Sequence, residues 1–169
     1  MSPKETKETQ VIKIQYEIFK SPEDLPEDEK ELLEAARQAM ETAHSPYSQF
    51  KVGAAVRLVD GTIVTGSNQE NASYGLTNCA ERSALFAVGS LGRKNEVWEI
   101  ALIGTGRNFE TIQPITPCGA CRQVIKEYED LAGKPLIILT SGAKGPIFRF
   151  TGIDSLLPLG FGPKDLNLV

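Results

Sequence analysis

Three cysteines and one glutamate are the residues of this chain whose types and spacing promise chemistry. Cys79 and Glu81 stand in Cys79-Ala80-Glu81-Arg82, and the other two thiols in Pro117-Cys118-Gly119-Ala120-Cys121. Together the two runs hold every cysteine in the sequence. Three thiolates brought together can bind a zinc ion and leave its fourth position to water. Water held that way has its pKa lowered to about 7. A carboxylate beside it can take a proton from that water and deliver it elsewhere. Glu81 is the candidate for that task, and Cys79, Cys118 and Cys121 are the candidate ligands.

The spacing sets conditions on the elements that carry these residues. Cys79 and Glu81 are two apart, so they cannot stack on one helix face. At a helix N-terminus, however, the first residues splay toward a common end point. Cys79 can then bind the metal while Glu81 leans over the bound water. Cys118 and Cys121 are three apart, which makes them neighbours on the first turn of a second helix. Charge asks for the same arrangement. Three thiolates against one divalent zinc leave a net negative charge, which two helix N-termini would offset with roughly half a positive charge each. Arg82 follows Glu81 and Arg122 follows Cys121. Arg82 is expected to donate hydrogen bonds to thiolate sulfur as a supporting partner of the metal ligands.

Other readings of the thiols stand beside this one. A Cys-x-x-Cys pair also serves as a redox dithiol, and buried cysteines also serve as small core residues. A structural zinc site would use four protein ligands and no adjacent base. None of the three accounts for Glu81 two residues after Cys79, or for Pro117 ahead of the pair.

The totals narrow the class. A length of 169 residues suits one domain with a proper core. The odd number of cysteines argues against a disulfide framework and fits a reducing, cytoplasmic setting. No stretch resembles a signal peptide or a membrane span. With a net charge of −4 the chain lacks the basic footprint of a nucleic-acid binder, so a small diffusible substrate is expected.

Residues 1–9 are polar and charged and read as a disordered lead-in. Alternation of Ile12, Ile14, Tyr16 and Ile18 with polar residues predicts a strand over 11–19. Ser21-Pro22-Glu23-Asp24 reads as a turn or brief capping box. A helix over 26–43 follows, with Leu32, Leu33, Ala36, Ala39, Met40 and Ala43 as its buried stripe. His44, the one histidine, ends it in a surface or capping role. Strands over 52–59 and 62–66 are joined at Asp60-Gly61, a strong hairpin signal. The polar run 68–75 lies between a strand end and the Cys79 helix, where α/β folds bind ligands. That helix is expected to bury Ala80, Ala84, Ala87, Val88 and Leu91 and to stop at Gly92. Residues 97–104 read as a central buried strand. The loop 105–116, with Arg107 and Glu110, then delivers the second metal helix, which should bury Val124, Ile125, Tyr128 and Leu131 and end at Gly133. Strands at 136–140 and 147–151, the latter at an edge, and a short terminal helix complete the chain. The order predicts an α/β fold of three layers, α/β/α. Its five-stranded mixed sheet should be mostly parallel apart from the hairpin, with an extra N-terminal strand candidate.

Residues 25–166 resemble the zinc-dependent cytidine deaminases of the small, homotetrameric, three-cysteine type. The resemblance rests on Ser45-Pro46-Tyr47-Ser48-x-Phe50, Val52-Gly53-Ala54-Ala55, Asn68-x-Glu70-Asn71-Ala72-Ser73-Tyr74-Gly75, the two cysteine runs through Gln123, and Phe161-Gly162-Pro163-x-Asp165-Leu166. It implies a catalytic domain over 25–169 behind an N-terminal extension over 1–24. It also implies one zinc per subunit on Cys79, Cys118 and Cys121, with Glu81 moving protons. Asn68 and Glu70 would bond the sugar hydroxyls, Phe50 would lie against the pyrimidine, and Ala80 would contact the substrate. Phe161 would reach into a neighbour's site, and Tyr74 would help to close one across a subunit boundary. The implied reaction is hydrolytic deamination of cytidine and deoxycytidine, a step of pyrimidine salvage, with neither nucleic acid nor membrane as partner. A deaminase of a nucleoside-like antibiotic such as blasticidin S is the nearest rival, and a polynucleotide deaminase is a further one.

Overall fold

The computed structural model describes residues 7–168. Part of the expected disordered lead-in, residues 1–6, lies outside them. Residues 7–9 are exposed and carry no regular structure.

One sheet of six strands organises the chain. In sequence order these are β1 (Glu17–Phe19), β2 (Phe50–Leu58), β3 (Ile63–Ser67), β4 (Val97–Gly106), β5 (Ile137–Gly142) and β6 (Ile147–Thr151). In space the order is β1-β6-β5-β4-β2-β3. The expected hairpin joins β2 to β3, with Gly61 at φ 88° and the Leu58 N–H donating to Thr62 O at 2.9 Å. A positive φ is open to glycine at no steric cost, so the Asp60-Gly61 signal was well founded.

Its six strands are the five expected and the N-terminal candidate, but two expectations about the sheet need correction. It is not mostly parallel, because only β4 and β5 run parallel and the other four pairings are antiparallel. The α3 crossover joins the single parallel pair and short turns close β2–β3 and β5–β6, whereas β2–β4 and β1–β6 pair across long stretches of chain. Nor is residue 147–151 an edge. Glu17, Ile18 and Phe19 pair with Arg149, Phe148 and Ile147 and extend the sheet by one strand. The strand predicted over 11–19 shrinks to these three residues. Val11, Ile12 and Ile14 remain exposed, and Tyr16 packs its ring on Phe148 and Phe150 at 4.9 and 5.3 Å.

Three helices cover the sheet: α1 (Glu27–Met40), α2 (Ala80–Ser90) and α3 (Gly119–Ala132). Successive strand residues point to opposite faces. Accordingly Ala55, Ala101, Ile103 and Leu139 pack with Leu32, Leu33, Ala36 and Met40 of α1. Ala54, Val56, Ile100, Leu102 and Ile138 pack with Ala84, Leu85 and Val88 of α2 and Ile125 and Tyr128 of α3. Helix α1 stops at Met40 rather than at residue 43, because the Thr42 N–H and hydroxyl both turn back onto Ala39 O. On α2 the buried position is Leu85, and the predicted Leu91 is exposed just beyond the helix end. Leu131 of α3 is likewise exposed, while Cys121 is buried. Gly133 caps α3 at φ 66°, as predicted. The expected terminal helix is reduced to single turns at Ile153–Ser155 and Pro163–Leu166.

Helix α2 lies unusually close to the hairpin. A Cβ on Gly66 would lie against the backbone of Ala84 and 2.8 Å from Ala80 O. Glycine at that point of β3 lets the start of α2 press onto the sheet, and so sets where Cys79 and Glu81 stand.

Candidate metal centre and its cleft

Both predicted helix starts meet at the cysteines. Cys79 is the N-cap of α2 and Cys118 the N-cap of α3, each in extended backbone just ahead of its helix. The free N–H groups of two first turns therefore face the same point. Cys79 Sγ lies 4.0 Å from Cys118 Sγ, and Cys118 Sγ 3.5 Å from Cys121 Sγ. All three sulfurs lie within 4.8 Å of one another, and none is in a disulfide. Zinc–sulfur bonds of about 2.3 Å in a tetrahedron put sulfurs about 3.8 Å apart. The two separations straddle that value, so the donor set fits one zinc ion. Cys121 is buried, Cys79 half-buried and Cys118 exposed, which leaves one side of the cluster open.

The surroundings supply charge. Arg82 Nη2 lies 3.7 Å from Cys79 Sγ and donates to Thr77 O at 3.3 Å. The Cys79 thiol is drawn down to about 5, first by the hydrogen bond it receives from Cys121 and then by Arg82. Cys121, as that donor and a buried group, is pushed well above the usual thiol range. Glu81 is only 4% exposed. Burial raises its pKa, and the charge on Cys79 raises it further. A carboxyl group whose pKa is raised in this way holds a proton more readily than a free one, which suits a general acid–base. Arg122 behaves differently. Its guanidinium donates to Pro117 O and Leu156 O, each at 2.7 Å, and to Thr116 Oγ1 at 3.2 Å. It clamps the loop that carries the second pair of sulfurs and touches no sulfur itself.

A cleft of about 240 Å³ opens beside the cluster. Thr77, Cys79, Ala80 and Glu81 line it from the start of α2, Thr116 and Cys118 from the start of α3, and Phe50, Val52, Asn68, Leu102 and Ile115 complete the lining. Asn68 is held firmly, since its Oδ1 accepts from Val52 N at 2.8 Å and its Nδ2 donates to Phe50 O at 2.9 Å. One Nδ2 hydrogen remains for a ligand. Phe109 packs against Phe50 at 6.1 Å, so the ring in the cleft is backed by a second ring. A larger depression between Glu41, Lys51 and Arg107 has no cysteine in its lining.

The structure thus brings Phe50, Asn68 and Ala80 to the metal cluster. Glu70 stands apart from the cleft wall, its carboxylate accepting Tyr47 N at 2.9 Å, Ser48 N at 3.2 Å and the Ser48 hydroxyl. Burial opposes ionisation there, but the hydrogen bonds from Ser48 and Tyr47 hold its pKa below the usual carboxylate value. Tyr74 is exposed and packs on Tyr47 at 5.6 Å. Phe161 is exposed, and its carbonyl accepts from Gln123 Nε2 at 2.8 Å. Within one chain neither ring enters the cleft.

The sequence matches the family described as the cytidine and deoxycytidylate deaminase zinc-binding region over residues 26–132, which include all three cysteines and Glu81. A protein of Halalkalibacterium halodurans named cytidine deaminase is 44% identical over 140 residues, which are 83% of this chain and 98% of that protein. The chain belongs to the cytidine and deoxycytidylate deaminase family. Its fold agrees with solved members. A cytidine deaminase from Burkholderia pseudomallei superposes with a TM-score of 0.69 at 46% identity, covering 78% of this chain and 97% of that one. A cytidine deaminase from Mycobacterium tuberculosis gives 0.62 at 37% identity, covering 80% and 98%.

For a deaminase of this family the sequence reading found the metal set and the aromatic wall. It missed Leu102, Ile115 and Thr116 in the cleft and Ser48 beside Glu70. Thr116 directly precedes Pro117, and Ser48 lies in a motif already quoted, so both had a signal by position. Leu102 and Ile115 carry none beyond being apolar. Loop residue Glu110 has a partner, an ion pair with Lys144 at 2.7 Å that ties the loop to the β5–β6 turn. Among the described residues no helix is long and apolar enough to cross a membrane.

Proposed function

We propose that the protein hydrolyses the exocyclic amine of cytidine and deoxycytidine, releasing ammonia and leaving uridine or deoxyuridine. The observation that carries this is the three-sulfur cluster at two helix starts with buried Glu81 beside it, in a cleft walled by Phe50. When bound, the zinc ion on Cys79, Cys118 and Cys121 acts as a Lewis acid that makes a water molecule acidic enough to attack at neutral pH. Glu81 takes the proton from that water and passes it to ring nitrogen 3, which makes carbon 4 more electrophilic. The new C–O bond forms at carbon 4. Glu81 then carries the proton of the new carbon 4 hydroxyl to the amino group, and the C–N bond breaks with ammonia as leaving group while the C4=O bond forms. One carboxyl group serves as base and then as acid. Arg82 offsets the sulfur charge and keeps Cys79 in its thiolate form. Phe50 covers the pyrimidine face, Ala80 contacts it from the helix start, and Asn68 and Glu70 hold the sugar hydroxyls.

Ligand pockets usually enclose at least about 300 Å³. The single-chain cleft is smaller, and Tyr74 and Phe161 are exposed outside it. Both facts support completion of each site by neighbouring copies in a homotetramer, with Tyr74 and Phe161 supplying the missing walls. The three cysteines, none of them in a disulfide, support a cytoplasmic setting. Deamination of blasticidin S is disfavoured because the relatives that match over most of their length are named cytidine deaminases. Ammonia release from a panel of cytidine, deoxycytidine, dCMP, cytosine and blasticidin S, with zinc content measured in parallel, tests the reading. Turnover of the two nucleosides is expected, and blasticidin S as the preferred substrate would overturn it.

A further inference from the structure

We propose that Ser48 is a positioning residue that sets the sugar selectivity of the site through Glu70. The inference rests on the reading above that Glu70 receives the sugar hydroxyls and Phe50 covers the base. Ser48 is bonded to both. Its N–H donates to Glu70 Oε2 at 3.2 Å and its hydroxyl donates to Glu70 Oε1. The same hydroxyl oxygen accepts the Phe50 N–H at 3.0 Å. One side chain therefore fixes the distance between the sugar acceptor and the aromatic wall.

The backbone around Ser48 is built to allow this. Gln49 lies at φ 55°, a conformation that a side-chain-bearing residue adopts only at a cost. At that turn the Ser48 hydroxyl oxygen meets the Phe50 N–H. The turn is pinned on both sides, by Gln49 N–H donating to Ser45 O at 3.0 Å and Arg107 N–H donating to Gln49 O at 2.8 Å. Glu70 is fixed from its own backbone too, through its N–H to His44 O at 2.8 Å.

The bonding also decides what Glu70 can accept. Tyr47 and Ser48 N–H groups occupy Oε2, while Oε1 takes only the Ser48 hydroxyl. A carboxylate oxygen has two lone-pair sites, so Oε1 keeps one for a substrate. An ionised carboxylate accepts and cannot donate. It rewards a ligand that brings a hydroxyl and does nothing for one that lacks it. With its hydroxyl gone, Ser48 would release Oε1 to swing, and the reward would fade.

The test compares cytidine with 2′,3′-dideoxycytidine in the zinc-loaded enzyme. The wild type should favour cytidine in kcat/KM by about ten- to a hundred-fold, the scale of a hydrogen bond to a charged group. Ser48→Ala should reduce that preference several-fold through a higher KM for cytidine, with KM for the dideoxy compound and the zinc content little changed. Ser48→Thr, which keeps the hydroxyl, should restore the preference. It also keeps the proposal testable if Ser48→Ala fails to fold, because a folded Ser48→Thr with lost selectivity contradicts it. If the wild type does not discriminate, the assignment of Glu70 to the sugar is wrong. If the wild type discriminates and Ser48→Ala does so equally, Glu70 keeps its role and Ser48 loses its own.

Discussion

The two helix starts that present the sulfurs look alike in sequence and differ in what they do. Each has a cysteine at its N-cap, and each has an arginine near the site, Arg82 on α2 and Arg122 on α3. On α2 the arginine reaches Cys79 sulfur, and the neighbouring carboxyl group is buried beside the cluster. On α3 the arginine turns away and grips two carbonyls and a hydroxyl. One helix start therefore handles charge and protons, and the other holds the cluster in shape. Two N-termini that share a capping cysteine and an arginine have divided the work, through Glu81 on α2, Cys121 on α3 and the different aims of the two arginines.

That division can be broken at several places. The largest effect is expected for Glu81→Gln, which should cost roughly 10²–10⁴-fold in kcat while zinc content stays the same, since it removes the proton carrier and no sulfur. Zinc analysis and turnover on one preparation check both halves. Next comes Arg122→Ala. Losing three hydrogen bonds from a charged group should lower unfolding stability by about 2–4 kcal/mol, with kcat of the folded fraction nearly unchanged. Denaturant unfolding alongside activity separates the two. Arg82→Gln should show the reverse pattern, with little loss of stability and zinc affinity about 10–100-fold weaker by chelator competition. Equal effects of the two arginine variants on zinc would erase the distinction.

The smallest effect sharpens the comparison by pH. After zinc removal the Cys79 thiol, held down to about 5, stays largely thiolate above that pH and protonates below it. Alkylation by iodoacetamide at Cys79 should therefore continue to about pH 5, whereas Cys121, shifted the other way, stays unlabelled there. Peptide mapping reads the two sites separately. In Arg82→Gln the Cys79 threshold should move upward.

The site was legible where its logic is local. Cys79 with Glu81, and Pro117 with Cys118 and Cys121, are short-range patterns, and helix starts at those points follow from spacing and charge. The different aims of Arg82 and Arg122 were not legible, because Leu156, which receives Arg122, is distant in sequence. The sheet was read only in part. Alternation marks strands but not their neighbours, so nothing in residues 17–19 announced Phe148 as a partner. Direction was missed for the same reason. The turn from β5 to β6 is tight, and the pairing is antiparallel. On α2 the periodic stripe was placed out of phase at its end, taking Leu91 for Leu85. The helix stops one residue before Leu91, so periodicity no longer governs it.

The Asp60-Gly61 turn closes β2 and β3 at their far ends, while Phe50 and Asn68 mark the near ends at the cleft. It is exposed, and its side-chain ties run outward from Asp60 to Arg93 at 2.7 Å. A peptide epitope or fluorescent reporter spliced between Asp60 and Gly61 would sit a full strand length from the reacting atoms. This apex is the natural handle for immobilising or imaging the enzyme without disturbing catalysis.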